Sequence, residues 1–163
     1  MNTSLLQVEN LRTVFDAGKS VIRAVDGISF DIRRNETFAL LGESGCGKSM
    51  TALSIMRLLP AAGRIVSGSV LLEGQDLLSL PEVAMRTVRG KRIAMIFQEP
   101  MTSLNPVLTV GQQIAETLYQ HTPLRGRAAD DRVVELLKEV GIPDPVRRAR
   151  EYPFQLSGGM KQR

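Results

Sequence analysis

One stretch constrains the fold of this chain more than any other: residues 42–49, with the sequence Gly-Glu-Ser-Gly-Cys-Gly-Lys-Ser. It fits the pattern G-x-x-x-x-G-K-[S/T], in which a glycine-rich turn cradles phosphate groups. The apolar run before it, residues 37–41, predicts a buried strand, and residues 50–59 after it have apolar side chains at helical spacing. Strand, glycine-rich turn and helix are the setting that this pattern requires, so we predict a nucleotide-binding site here.

The residue types of this stretch, called the phosphate loop below, explain the predicted chemistry. Glycines lack a Cβ atom, so the backbone can adopt positive φ and approach an anion closely. The following amides converge on the phosphates, assisted by the positive end of the helix dipole. Lys48 adds a full charge, and the Ser49 hydroxyl is a hard oxygen ligand for Mg²⁺. The predicted binding residues are Gly42, Ser44, Gly45, Cys46, Gly47, Lys48, Ser49 and Met50.

Composition excludes some classes of protein and leaves others open. The 163 residues are enough for one domain with a core, and the apolar and charged fractions, 43% and 23%, are those of a soluble globular protein. No apolar run is long enough to span a bilayer. The single cysteine, Cys46, cannot form an intrachain disulfide, which favours a cytosolic location. The net charge of +4 is too small to identify a partner.

Two residues outside the phosphate loop have two interpretations each. Phe15 lies in a predicted strand, residues 5–15, and is either an ordinary packed side chain or an aromatic face for adenine. Gln98 follows residues 92–97, a second predicted buried strand. It is either a polar strand end or a group that reaches Mg²⁺ or the attacking water, because ligands bind at the carboxyl ends of strands in open α/β sheets. The residues alone leave both choices open.

The remaining front part of the chain predicts antiparallel β structure around the phosphate loop. Residues 21–32 form a second strand, joined to the first by the turn formers of residues 16–20. Residues 66–73 form another strand, and residues 74–76 form a turn.

The back part predicts helices. Residues 99–106 contain two prolines and predict an irregular loop. Helices are expected at residues 109–121 and 128–140, from their apolar stripes. Near the end, Ser157 is a predicted helix N-cap, and the glycines at 158 and 159 open the turn for an anion.

Three motifs in this order, GESGCGKS, FQEPMTSLNP and LSGGMKQR, resemble the nucleotide-binding domain of ATP-binding cassette (ABC) transporters. The sequence between them is most similar to the ATPase subunits of bacterial dipeptide, oligopeptide, nickel and glutathione importers. The resemblance implies an α/β P-loop NTPase fold of the ABC ATPase type, incomplete here, with N-terminal antiparallel β material and an α-helical subdomain. It implies a nucleotide-binding core at residues 1–98, and a Q-loop and helical subdomain at residues 99–163.

The same resemblance implies roles for the remaining site residues, with ATP and Mg²⁺ as cofactors. Gln98 matches the Q-loop glutamine, so it is expected to bind the metal ion and, like Lys48, to take part in catalysis. Phe15 matches the aromatic residue that stacks on adenine. The signature motif matches Ser157, Gly158 and Gly159, which would contact the γ-phosphate held by a second ABC ATPase domain in a head-to-tail dimer.

The implied function is that of the N-terminal portion of an ATP-binding subunit of an importer. This subunit couples ATP binding and hydrolysis to uptake of peptides or a related small solute. Its expected partners are integral-membrane permease subunits, which contact residues 99–109, and indirectly a periplasmic or extracellular solute-binding protein. It is expected to lie peripherally on the cytoplasmic face of the inner membrane, and no nucleic acid is expected.

The severe departure from the family pattern lies at the end of the chain. It ends at Arg163, before the strand whose Asp holds Mg²⁺, the Glu that polarises water and the switch His. Because phosphoryl transfer depends on such positioning groups, the parent protein is expected to be an ATPase and this chain alone to be inactive. Two alternatives are a soluble ABC-type ATPase that acts on nucleic acid or ribosomes, and a binding-only fragment without turnover.

Overall fold

The computed structural model describes residues 4–18 and 20–163. It falls into two compact units, Met1–Arg89 and Gly90–Arg163. The functional division predicted between residues 98 and 99 stays a prediction. The turn predicted at residues 16–20 includes residue 19, which lies outside the described residues.

An antiparallel sheet of four strands forms most of the first unit. Its strands are β1 (Ser4–Ala17), β2 (Ser20–Arg33), β3 (Gly63–Leu72) and β4 (Gln75–Asp76), and they lie in the order β2-β1-β3-β4. The two predicted strands at residues 5–15 and 21–32 are confirmed. The third strand is also confirmed, although it begins three residues earlier than the pattern predicts.

The pairing of β1 with both neighbours becomes irregular around Thr13. Between Thr13 and Val14, the pairing with β2 skips Ala24. Between Arg12 and Thr13, the pairing with β3 skips Val66. Such β-bulges bend and twist a strand locally, and they are frequent next to functional sites. The part of β1 around Thr13 is therefore flanked by a bulge in each neighbouring strand.

Helix α1 (Lys48–Met56) follows the phosphate loop, which confirms the predicted helix. It ends three residues before the predicted end, because Arg57 adopts a left-handed conformation with φ of 52°. The buried side of α1 mixes apolar and polar residues: Thr51, Ser54, Ile55 and Met56. A second short helix, α2 (Glu82–Val88), follows the sheet and adds Met85 and Val88 to the buried core of this unit.

Two predictions of buried strands are wrong. Residues 37–41 and 92–97 are not strands in the part of the chain that the structure describes. Leu41 is 88% exposed and Ile96 is 89% exposed. The reason is that an apolar run forms a buried parallel strand only when neighbouring strands pair with its backbone and other layers cover its faces. The described sheet is antiparallel and includes neither run.

The second unit is helical. Its helices are α3 (Val110–His121), α4 (Gly126–Glu139), α5 (Pro145–Arg148) and α6 (Gly158–Lys161), with 3₁₀ turns at Pro100–Ser103 and Pro153–Gln155. The two predicted helices at residues 109–121 and 128–140 are confirmed. The core contains Val110, Ala115, Leu118, Ala129, Val133, Leu137, Ile142 and Leu156. Among the described residues, the structure contains no helix with the length and apolar content needed to cross a bilayer.

Candidate functional site

The phosphate loop leads directly into α1, and the first backbone amides of that helix have no acceptor inside it. The first hydrogen bond of the helix runs from the Thr51 amide to the Gly47 carbonyl, at 2.8 Å. The amides of Lys48, Ser49 and Met50 precede it, so they have no acceptor within the helix. They lie at the positive end of the helix dipole. This is the electrostatic environment that an anion requires.

The Lys48 ammonium is enclosed by its own loop. Its Nζ donates to the carbonyl oxygens of Gly42 and Glu43, at 2.7 and 2.6 Å. The Cys46 Sγ atom lies 3.4 Å from the same Nζ. The loop therefore curves around a full positive charge, and neutral carbonyl groups hold that charge in place. A phosphate oxygen is a stronger partner for an ammonium than a neutral carbonyl, because both groups are then ionised.

Gly47, at the N-cap of α1, is required by a close approach of backbone. It has φ of 95°, and a Cβ atom built on it would lie 2.3 Å from the Ala24 carbonyl oxygen. Ala24 is the residue that the pairing of β1 with β2 skips between Thr13 and Val14. The bulge in β2 therefore places a backbone oxygen against the phosphate loop, and only glycine leaves room for it. The motif predicted this glycine, but it gave no indication that the Ala24 carbonyl of β2 requires a glycine at this position.

A buried pair of hydroxyl groups connects β1 to α1, and sequence patterns gave no signal for it. The side-chain oxygens of Thr13 and Ser54, called the hydroxyl pair below, lie 2.7 Å apart, and both residues are fully buried. Ser54 also donates to the Met50 carbonyl at 2.6 Å. Because a hydroxyl has one proton, Thr13 is then the donor to Ser54.

Phe15 is half-buried on β1, opposite Gly63 on β3 and Ile22 on β2. A Cβ atom on Gly63 would lie 2.8 and 2.9 Å from the Cε1 and Cζ atoms of the Phe15 ring. The ring therefore rests on bare backbone. This contact supports the packing interpretation, and the half-exposed ring keeps the stacking interpretation open.

Gln98 lies in an exposed bend of the second unit, so the prediction that it ends a buried strand is wrong. The predicted irregular loop at residues 99–106 contains a 3₁₀ turn and then meets Gln113 of α3. The Gln113 side chain accepts from the Asn105 amide at 2.9 Å and donates to the Asn105 and Leu108 carbonyls, both at 3.0 Å. Sequence reasoning missed Gln113, because an amide on a helix surface carries no local signal.

The signature turn, residues 157–159, forms the start of α6. Ser157 is the N-cap, as predicted, and its Oγ accepts from the Met160 amide at 3.3 Å. Gly158 and Gly159 are exposed and lack positive φ, and a Cβ atom on either would meet nothing within 4 Å. The fold described for this chain therefore does not require glycine at these two positions.

A charged cluster supports the segment before the signature turn. Glu151 is buried, and it accepts hydrogen bonds from Arg148 at 2.6 Å and Arg147 at 3.0 Å. The bond from Arg148, with the positive charges of both arginines, lowers the pKa of Glu151. The Glu151 carbonyl also accepts from the Val110 amide at 2.9 Å, which ties this segment to the start of α3.

The predicted site residues are divided between the two units. Phe15 and the phosphate loop belong to the first unit, whereas Gln98 and the signature turn belong to the second. In the described part of the chain, no group of three or more His, Cys, Asp or Glu side chains is arranged to hold a metal ion.

Comparison with known proteins gives consistent results. A family model described as "ABC transporter" matches residues 25–163. The dipeptide transport ATP-binding protein DppD of Bacillus subtilis is 49% identical over 160 residues, which are 98% of this chain and 48% of that protein. The oligopeptide transport ATP-binding protein AppD of the same organism is 51% identical over 162 residues, 99% and 49% respectively. The chain thus spans about half the length of these relatives.

A solved structure has the same fold. The dimeric structure of MJ0796, a bacterial ABC transporter cassette, has a TM-score of 0.80 and 25% sequence identity, and the match covers 96% of this chain and 65% of that one. A post-hydrolysis state of the same cassette, bound to ADP and Pi, matches equally well. The predicted fold class, an incomplete P-loop NTPase fold with antiparallel β material and helices, is confirmed.

Proposed function

The chain belongs to the ABC transporter family, and we propose that its phosphate loop binds ATP with Mg²⁺ as part of an ATPase that drives uptake of peptides or a related small solute. The observation that carries this proposal is the enclosed Lys48 ammonium beside three amides without helical acceptors. The names of the relatives, which refer to dipeptide and oligopeptide transport, support the class of solute.

Within the loop, each group has a separate role. The amides of residues 44–50 hold the phosphate oxygens, and the Lys48 ammonium exchanges its two carbonyl partners for the terminal phosphates. The exposed Ser49 hydroxyl is the first oxygen ligand for Mg²⁺, whose charge offsets that of the phosphates when it is bound. These donors fit both cofactors.

Two residues outside the loop complete the nucleotide site in this proposal. Phe15, which is half-buried on β1, stacks on the adenine base with the exposed part of its ring. Gln98, exposed and outside regular structure, contributes an amide oxygen to Mg²⁺ and orients the attacking water.

The signature turn is proposed to act on a second copy of the domain. Ser157, Gly158 and Gly159 contact the γ-phosphate bound to an opposite, head-to-tail domain. The two glycines support this role, since they are not needed by the described fold of this chain. The MJ0796 cassette, whose solved structure is dimeric, is a further support.

Transport requires coupling to membrane subunits. We place their contact at residues 99–109, where exposed apolar side chains such as Val107, 75% exposed, stand on a segment anchored by Gln113. The subunit then lies peripherally on the cytoplasmic face of the membrane, with a solute-binding protein on the other side. ATP binding closes two domains and hydrolysis reopens them, which moves the membrane subunits.

The nucleotide site is tested by Lys48→Ala, with Lys138→Ala as the matched control. Lys138 is an exposed lysine of α4 outside the proposed site. Titration calorimetry with MgATP should detect binding by the wild-type chain and by Lys138→Ala. Binding by Lys48→Ala should be weaker by about tenfold or more, because a charge-assisted contact to phosphate is lost. Equal affinities of the two variants would contradict the proposal.

A further inference from the structure

We propose that Thr13 and Ser54 are positioning residues, which hold Phe15 at a fixed distance from the phosphate loop so that the base and the phosphates of one nucleotide are bound together. This inference rests on the proposed function, because it takes adenine as the partner of Phe15 and phosphate as the partner of the loop. It assigns a role to two residues that touch neither group.

The β1–β2 hairpin is attached to α1 in two places. One attachment is the hydroxyl pair, with its oxygens 2.7 Å apart. The other is the contact between the Ala24 carbonyl and Gly47, which leaves no room for a Cβ atom. Thr13 pairs with Val25, the neighbour of Ala24, so both attachments lie at the same level of the hairpin. Two attachments at one level set the position of β1 along the helix.

Burial of the hydroxyl pair has a cost that an apolar pair would not have. Thr13 and Ser54 are both 0% exposed, and a buried hydroxyl loses its hydrogen bonds to water. Two apolar side chains of similar size would fill the same space without that loss. A hydrogen bond, however, has a narrow range of distance and angle, whereas apolar contacts permit sliding. The pair therefore specifies a register between strand and helix more than it adds stability.

Phe15 lies two residues beyond Thr13 on the same strand, which is about 7 Å along a strand of ordinary rise. Gly63 supports one side of its ring. A slip of β1 by one residue against α1 would move the ring by about 3.3 Å, close to the thickness of an aromatic stack. The hydroxyl pair fixes the register of β1 against α1, and this register determines the distance between the Phe15 ring and the phosphate loop.

The experiment compares two ligands, Mg²⁺–ATP and Mg²⁺–tripolyphosphate, by titration calorimetry on the chain. Thr13→Val removes the donor hydroxyl and keeps the shape of the side chain. Ser4→Ala is the matched control, because Ser4 is a half-buried hydroxyl residue of the same strand whose hydrogen bonds, within the described residues, go to the Leu6 and Ile32 carbonyls. We expect Thr13→Val to weaken ATP binding about fivefold, the effect of one lost hydrogen bond. Tripolyphosphate binding should stay unchanged, and Ser4→Ala should change neither.

The same measurement in a Phe15→Ala background shows whether the effect acts through the ring. There, Thr13→Val should produce no further loss of ATP affinity. Equal loss for both ligands, no loss for either, or full additivity with Phe15→Ala would overturn the inference.

Two further results separate the possible failures. If Thr13→Val does not fold, as judged by circular dichroism, Ser54→Ala makes the same test. If neither variant folds, the pair is structural and the inference is wrong. If the wild-type chain binds neither ligand, or if Lys48→Ala binds both as well as the wild type, the proposed function itself fails. If only the inference about the hydroxyl pair fails, the wild-type chain still binds both ligands, Lys48→Ala still binds them more weakly, and only the expected effect of Thr13→Val is missing.

Discussion

The phosphate loop and the signature turn are both glycine-containing segments at the start of a helix, but they use glycine for different reasons. Gly47 has positive φ and lies against the Ala24 carbonyl, so the chain cannot fold this way with another residue. Gly158 and Gly159 have neither constraint. A glycine that the fold does not need indicates a requirement outside the fold, such as close approach of a ligand or a partner. The glycine of the first turn is therefore required by the chain's own fold, whereas the glycines of the second are, in our proposal, required by another molecule.

The largest expected effect is that of Gly47→Ala. An alanine there is strained by about 1–2 kcal/mol at positive φ, and its Cβ would lie 2.3 Å from the Ala24 oxygen. We expect the free energy of unfolding to fall by about 3 kcal/mol or more, since overpacking adds to the strain, and MgATP binding to be lost. Urea unfolding and calorimetry measure the two effects. A stable variant would show that β2 does not constrain the loop.

Gly63→Ala should have an intermediate effect. Gly63 has no positive φ, so the only cost is the clash of a Cβ atom with the Phe15 ring and with the Pro60 carbonyl, 3.2 Å away. We expect a loss of about 1–2 kcal/mol of stability from this overpacking. In a Phe15→Ala background most of that loss should disappear in the same urea experiment. Persistence of the full loss would instead assign it to the Pro60 contact.

Glu151→Gln tests the support of the signature turn, which is electrostatic. Arg148, with Arg147, lowers the pKa of Glu151 in the folded chain. A carboxyl group with a lowered pKa stabilises the fold above its unfolded pKa, about 4.3 for glutamate, and this stabilisation is lost as the pH falls through the folded pKa. The wild-type chain should thus unfold at higher urea than Glu151→Gln near pH 7, and the two should converge in acid. A difference that is independent of pH would contradict this.

The smallest effect on stability is expected for Gly158→Ala and Gly159→Ala. Their Cβ atoms meet no neighbour, so we expect the free energy of unfolding to change by no more than about 0.5 kcal/mol. Thermal unfolding checks this. A loss above about 1 kcal/mol would show that the fold itself uses these glycines, and the contrast with Gly47 would disappear.

Much of the fold was predictable, because local patterns report local structure. The hairpin strands, the helix after the phosphate loop and the helices α3 and α4 all follow from periodicity and capping residues within a few positions. In α3, for example, the apolar stripe predicted the helix, and the structure adds a capping box between Thr109 and Gln112. The eight predicted binding residues between positions 42 and 50 stay a prediction, which could be made because they are nearly contiguous in sequence.

The predictions that failed have one cause: the structure of these segments depends on residues that are distant in the sequence. Residues 37–41 and 92–97 have the composition of buried strands, but a strand exists only when another strand supplies hydrogen bonds. Likewise, the amide of Gln113 carries no sign that it holds the loop around Asn105, eight residues earlier. Neither outcome can be read from the segment itself.

The sequence by itself determined where this chain places a lysine beside a row of amides at the start of a helix, which is the proposed phosphate site, because glycine, lysine and serine at that spacing act through adjacent backbone. Only the tertiary structure decided what surrounds that loop: the bulge that brings Ala24 to Gly47, and the pairing of Thr13 with Ser54, 41 residues away. Contacts at such separation depend on the closure of long loops and the packing of whole elements. No short pattern of residues records them.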